Sequence, residues 1–155
     1  MKDKMTIILF SGEYDKGIAA FTLATTAAAS DMDVTIFFTF WGLNFLKKSG
    51  VKGSKPKFFL QKLFGAINSG LPLSRFNFLG IGLWMMKKLM KKTKMASLEE
   101  LMALAKQLNV KFVACTTSCG VMGLSNEELS EDVAEFAGAA TYLAYARESK
   151  VNLFI

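Results

Sequence analysis

Histidine is missing from all 155 residues, and that absence narrows the chemistry before any motif is considered. Within one chain it excludes Cys-His and Ser-His nucleophile pairs, histidine general bases and histidine-containing zinc sites. Cysteine is scarce as well. Cys115 and Cys119 are the only two; they cannot complete a structural zinc site alone, and a few residues apart they do not make a disulfide framework. A reducing, cytoplasmic setting is therefore the expectation. There are two prolines, and no internal repeat or low-complexity tract. The charged opening Met1 to Lys4 runs straight into a strand pattern, so no signal peptide is expected. Phe76 to Met86 is uncharged and mostly apolar, but its eleven residues fall short of the roughly twenty that a helix needs to cross a bilayer.

Acidic residues are missing from one long stretch. Between Val34 and Leu98 there is no Asp or Glu, while eleven lysines and Arg75 supply twelve of the nineteen basic residues. The remainder holds all thirteen acids against seven basic residues, so it is net −6 although the whole chain is +6. One contiguous stretch is thus cationic and apolar; the rest is an ordinary acidic domain. Nucleic-acid binding needs basic and aromatic residues on one exposed face, yet the aromatics here sit in apolar clusters, and no nucleic-acid partner is expected. Three readings of the stretch remain open: a subunit or partner interface rimmed by lysine, an amphipathic element on an anionic membrane surface, or part of the chain's own core. Phe58 to Met90 is expected to pack partly at a subunit interface, with Lys87 to Lys94 at its rim.

What is present reads as alternating strands and helices. The chain is long enough, and at 52% hydrophobic apolar enough, for one domain with a full core. Met5 to Phe10 and Val34 to Phe40 are continuous apolar runs, the mark of strands buried on both faces. Between them, Ser11 to Gly17 reads as a loop and Ile18 to Ser30 as an alanine-rich helix, a βαβ unit with parallel strands. The loop matches neither phosphate-binding glycine pattern. Trp41 to Lys48 reads as a short helix or turn, and Phe58 to Ile67 has a helical apolar pattern. Ser97 caps a helix that runs to Asn109 with Glu99 and Glu100 in its first turn. Val110 to Ala114 is a third strand, Val133 to Phe136 a fourth, Ala137 to Ser149 a helix and Val151 to Ile155 a last strand. This alternation predicts a three-layer α/β sandwich on a five-stranded parallel sheet. Ligands in such sheets bind beyond the carboxyl ends of the strands. If the first and third strands were neighbours, Ser11 to Lys16 would share a crevice with the cysteines, and Lys16 could face a thiolate.

Both cysteines lie in Ala114-Cys115-Thr116-Thr117-Ser118-Cys119-Gly120, where the third strand ends and the sequence turns small and polar. A thiol at a strand-to-helix turn meets unpaired backbone N–H groups and the positive end of a helix dipole, which favour the thiolate. Cys115 and Cys119 are accordingly the candidate catalytic residues. The alternative is that each is a small buried hydrophobe.

The segment from Ala114 through Leu124, followed by Glu127-Glu128-Leu129, resembles the cysteine segment of the DsrE/DsrF-like proteins. It is most similar to the subgroup in which A-C-x-x-S-x-x-V-M-G precedes an acidic helix. Phe38-Thr39-Phe40-Trp41-Gly42-Leu43 resembles that subgroup's second strand end, and a basic apolar insert, here at about residues 41–96 of a single domain spanning 1–155, is a further likeness. The resemblance implies a flavodoxin-like sheet, homo-oligomers (trimers or hexamers), and a cysteine persulfide passed to a TusA-like carrier or another thiol protein. Cys115 corresponds to the sulfur-bearing position, and Cys119 departs from the pattern. No cofactor and no metal are expected, because thiol–persulfide exchange needs neither.

Three functions compete at this stage. The first is a sulfurtransferase or sulfur carrier acting through Cys115. The second is a dithiol redox protein using both thiols, whose spacing is wider than the usual Cys-x-x-Cys. The third is a non-catalytic interaction module that docks on a membrane or a membrane complex through Val34 to Leu98, with the cysteines inert.

Overall fold

The computed structural model describes residues 2–48, 70–75, 77 and 80–155. Its centre is a five-stranded, all-parallel sheet in the order β4-β3-β2-β1-β5. The strands are β1 (Lys4–Leu9), β2 (Asp33–Phe38), β3 (Lys111–Cys115), β4 (Val133–Ala137) and β5 (Val151–Phe154). The helices are α1 (Tyr14–Ala29), α2 (Ile81–Lys92), α3 (Leu98–Gln107), α4 (Thr116–Met122) and α5 (Ala139–Glu148), with a 3-10 turn at Phe40–Leu46 after β2 and another at Asn126–Glu128. The pattern of buried strands separated by helices dictates this layering, because a parallel strand needs a crossover and the crossover must cover a sheet face.

The strand order explains where the helices go. From β1 to β4 the sheet grows in one direction, and right-handed crossovers then put α1, α3 and α4 on one face. From β4 to β5 the chain reverses past β1, so α5 must cover the opposite face. The core is divided accordingly. Ile7, Leu9, Phe21, Ile36, Phe38, Phe112 and Ala114 pack together on the first face, and Phe37, Val113, Cys115, Ala137 and Tyr142 on the second. Alternation along β3 sends Phe112 and Ala114 one way and Val113 and Cys115 the other.

Two expectations are corrected. β2 lies between β1 and β3, so the adjacency that would bring Ser11 to Lys16 beside the thiols does not occur. Lys16 instead pairs with Glu13 at 3.1 Å and donates to Ser11 Oγ at 3.2 Å. The first helix also begins at Tyr14 rather than near Ile18. Gly17, read as a loop residue, lies inside it, and a Cβ there would sit 2.4 Å from the Phe45 ring; the missing side chain admits a packing neighbour. Elsewhere local signals held. Ser97 and Glu100 form a capping box, and Asn109, at φ 58°, ends the helix region that the sequence ends there. The helical pattern from Phe58 to Ile67 lies outside the described residues.

Candidate active site

The small, polar residues after β3 do not cap the helix that follows. Cys115 itself stands at the N-cap of α4, with φ −71° and ψ 114°, and no side chain closes a formal cap. The last residue of β3 is thus also the hinge into the helix. Its sulfur lies on the α5 face of the sheet with Phe37, Val113, Ala137 and Tyr142. This is the one place among the described strands where neighbours part company. β3 leads to a helix on the first face and its partner β4, paired through Cys115 and Ala137, leads to α5 on the second. In open parallel sheets, ligands bind beyond the carboxyl ends of strands at such a divergence.

Cys115 is 6% exposed. Burial alone pushes its thiol up, because a charged sulfur loses solvation there. The Ser118 hydroxyl, the Ser118 N–H, the Thr39 hydroxyl and the Thr117 N–H all favour the thiolate, and together they outweigh burial and hold the group below its ordinary value. Ser118, three residues on, is itself fully buried. Thr39 arrives from the end of β2, and its Oγ1 lies 2.8 Å from Ser118 Oγ. The thiol is therefore surrounded by neutral donors that prefer its ionised form.

Cys119 is equally buried, at 5%, with a different outcome. It packs in the first-face cluster with Phe112, Ala114 and Leu129. Burial, reinforced by the proximity of Cys115, pushes its thiol up to about 11. Both cysteines are free thiols. The structure thus sets the two candidates on opposite sides of the sheet layer, one in a polar cradle and one in an apolar core. Among the described residues there is no cluster of acids and cysteines that could hold a metal ion.

Thr39 is the residue that sequence reasoning passed over. The available signal was a threonine between Phe38 and Phe40, where the mostly apolar second strand ends. A polar residue at the carboxyl end of a buried strand has a reason to be there, but which side chain it meets depends on strand order.

The model of the DsrE/DsrF/DrsH-like family matches residues 1–154. The chain is 46% identical to the uncharacterized protein YrkE of Bacillus subtilis, over 98% of this chain and 96% of that one. It is 35% identical to the sulfur carrier protein DsrE2 of Allochromatium vinosum, over 98% of each chain. Among solved structures, the fold is similar to the ychN protein of E. coli, with a TM-score of 0.57 and 13% identity over all of both chains. It is also similar to a protein of unknown function from Methanobacterium thermoautotrophicum, with a TM-score of 0.56 and 9% identity over 98% of this chain and 99% of that one.

Proposed function

Because this chain belongs to the DsrE/DsrF/DrsH-like family, we propose that it handles sulfane sulfur and that Cys115 carries it. The observation that supports this most is the cradle of Ser118, Thr39 and two backbone N–H groups, which favours a thiolate in a buried site. A relative bearing the description of a sulfur carrier points the same way. In the first step the Cys115 thiolate attacks the outer sulfur of a donor persulfide. A new S–S bond forms at Cys115, the donor's S–S bond breaks, and the electron pair leaves on the donor thiolate. The outer sulfur keeps its proton or loses it to solvent, and no net oxidation occurs. In the second step an acceptor thiolate on a TusA-like carrier attacks that same outer sulfur, and Cys115 returns as thiolate. Neither step needs a histidine.

Exposure of the chain to polysulfide tests this reading by intact mass. A gain of one sulfur atom that is lost on reduction with dithiothreitol is expected. A chain whose mass stays constant contradicts it.

A second reading concerns the basic region, and α2 supports it. Trp84 is 61% exposed, and Ile81, Met85 and Leu89 are exposed with it, beside Lys87, Lys88, Lys91 and Lys92. Exposed apolar side chains among lysines suit peripheral contact with an anionic membrane or a covered face in a homo-oligomer. No helix among the described residues is long and apolar enough to cross a membrane. Co-sedimentation with phosphatidylserine vesicles at low and high salt distinguishes the two: salt-sensitive binding supports lipid contact, whereas a trimer or hexamer that ignores vesicles supports the interface.

A further inference from the structure

We propose that Thr39 is a positioning residue for the Cys115 sulfur, acting through its own hydroxyl and through the Ser118 hydroxyl that it holds, in a geometry fixed by the turn after β2. The proposal rests on Cys115 being the working thiol.

The two hydroxyls are 2.8 Å apart and own one proton each. A thiolate accepts hydrogen bonds and donates none. Both hydroxyls face the sulfur as well as each other, so with one proton committed to the sulfur the other bridges the two oxygens, and each hydroxyl holds its neighbour in place. Loss of the Thr39 hydroxyl therefore removes more than one contact. It also frees the Ser118 hydroxyl to turn away from the sulfur, because its second partner is gone. Hydrogen bonds that polarise one another in a buried site are worth more together than singly.

The turn that carries Thr39 is tightly fixed. The Thr39 N–H donates to Leu9 O at 3.1 Å, and the Gly42 N–H lies within reach of both Thr39 O at 3.0 Å and Phe10 O at 2.9 Å. Gly42 has no room for a side chain, since a Cβ there would sit 1.9 Å from Leu9 O. Phe40, the residue after Thr39, is held at φ 45°. Few bulky residues adopt that left-handed conformation, which costs energy that the surroundings must supply. The strand thus breaks off at Phe38, directly before Thr39, and the chain is stapled back onto the end of β1. This arrangement delivers the hydroxyl of the residue after β2 to Ser118, seventy-nine positions on in the sequence, at the edge of the thiol.

The test measures iodoacetamide alkylation of Cys115 against pH, in a chain whose other thiol is removed by Cys119→Ser. Thr39→Val keeps the shape of the side chain and deletes the hydroxyl; Thr39→Ser keeps the hydroxyl and deletes the methyl. The pH midpoint should rise by about half a unit or more in Thr39→Val and return to the parent value in Thr39→Ser. Thr39→Ala serves as the second hydroxyl deletion if Thr39→Val unfolds. A midpoint unmoved in a folded deletion variant overturns the proposal, and so does an equal rise in Thr39→Ser, which would make the effect one of packing. Sulfur loading is read separately by mass. A chain that shifts its midpoint as expected but takes up no sulfur contradicts the sulfur-carrier reading and leaves the positioning role standing.

Discussion

Cys115 and Cys119 are four residues apart and almost equally buried, yet the fold treats them as different chemical groups. Cys115 ends a strand on the α5 face and meets two hydroxyls and two backbone N–H groups. Cys119 sits in the following helix, in the apolar cluster of the other face that also holds Phe112, Ala114 and Leu129. Burial raises both thiols; only one has donors enough to reverse the effect. The comparison teaches that exposure does not decide the reactivity of a thiol. What decides it is whether the groups lining the site prefer the charged form.

The largest effect expected from this difference is kinetic. At pH 7.5 Cys115 should alkylate at least about a hundredfold faster than Cys119, in proportion to their thiolate fractions. Rates measured in the Cys115→Ser and Cys119→Ser variants check it, and equal rates would erase the distinction.

A second prediction separates the two faces by stability. Phe21 is fully buried on the Cys119 face, with its ring 6.2 Å from Phe38, 6.1 Å from Phe45 and 5.9 Å from Phe112. Phe21→Ala should cost about 3–5 kcal/mol in urea unfolding while leaving the Cys115 alkylation midpoint unchanged in the folded protein. A shifted midpoint would mean that the faces are coupled.

A third follows from proton linkage. The Cys119 thiol ionises at about 11 in the folded chain and lower when unfolded, so the unfolded state loses its proton first. The stability from this group is fully present below the unfolded value and is lost as pH rises toward about 11. The loss amounts to about 2 kcal/mol, and unfolding curves from pH 8 to 11 should show it reduced in Cys119→Ala. Cys115 has the opposite sign: its contribution is present above the unfolded value and is lost as pH falls through the lowered folded one.

The smallest effect lies away from both thiols. Ser97→Ala removes half of the capping box of α3 and should cost about 1 kcal/mol, with no change at either cysteine.

Which parts of this molecule were legible in its sequence follows the range of the forces involved. Ser97 with Glu100, Asn109 after its helix, and the apolar runs of β1, β2 and β3 are local signals, and the structure reproduces them. The parallel sheet with helices on both faces follows from their alternation. Strand order is different, because pairing β2 between β1 and β3 is a choice among distant segments that no window of residues contains. That choice moved Lys16 away from the thiols and brought Thr39 in. The start of α1 differs for a similar reason, since the glycine at position 17 reads locally as a helix breaker, whereas its missing side chain is what lets the distant Phe45 ring pack against the helix. Cys115 was readable as a candidate from its setting, but the contrast with Cys119 required knowing that the strand and the helix face opposite sides.

Sulfur loading of the two single-thiol chains tests the central claim most directly. Cys119→Ser and Cys115→Ser are each exposed to polysulfide, and their intact masses are compared before and after reduction. Cys119→Ser should gain one sulfur that dithiothreitol removes, and Cys115→Ser should gain none. Loading of Cys115→Ser, with Cys119→Ser unchanged, would contradict the assignment of the sulfur to Cys115.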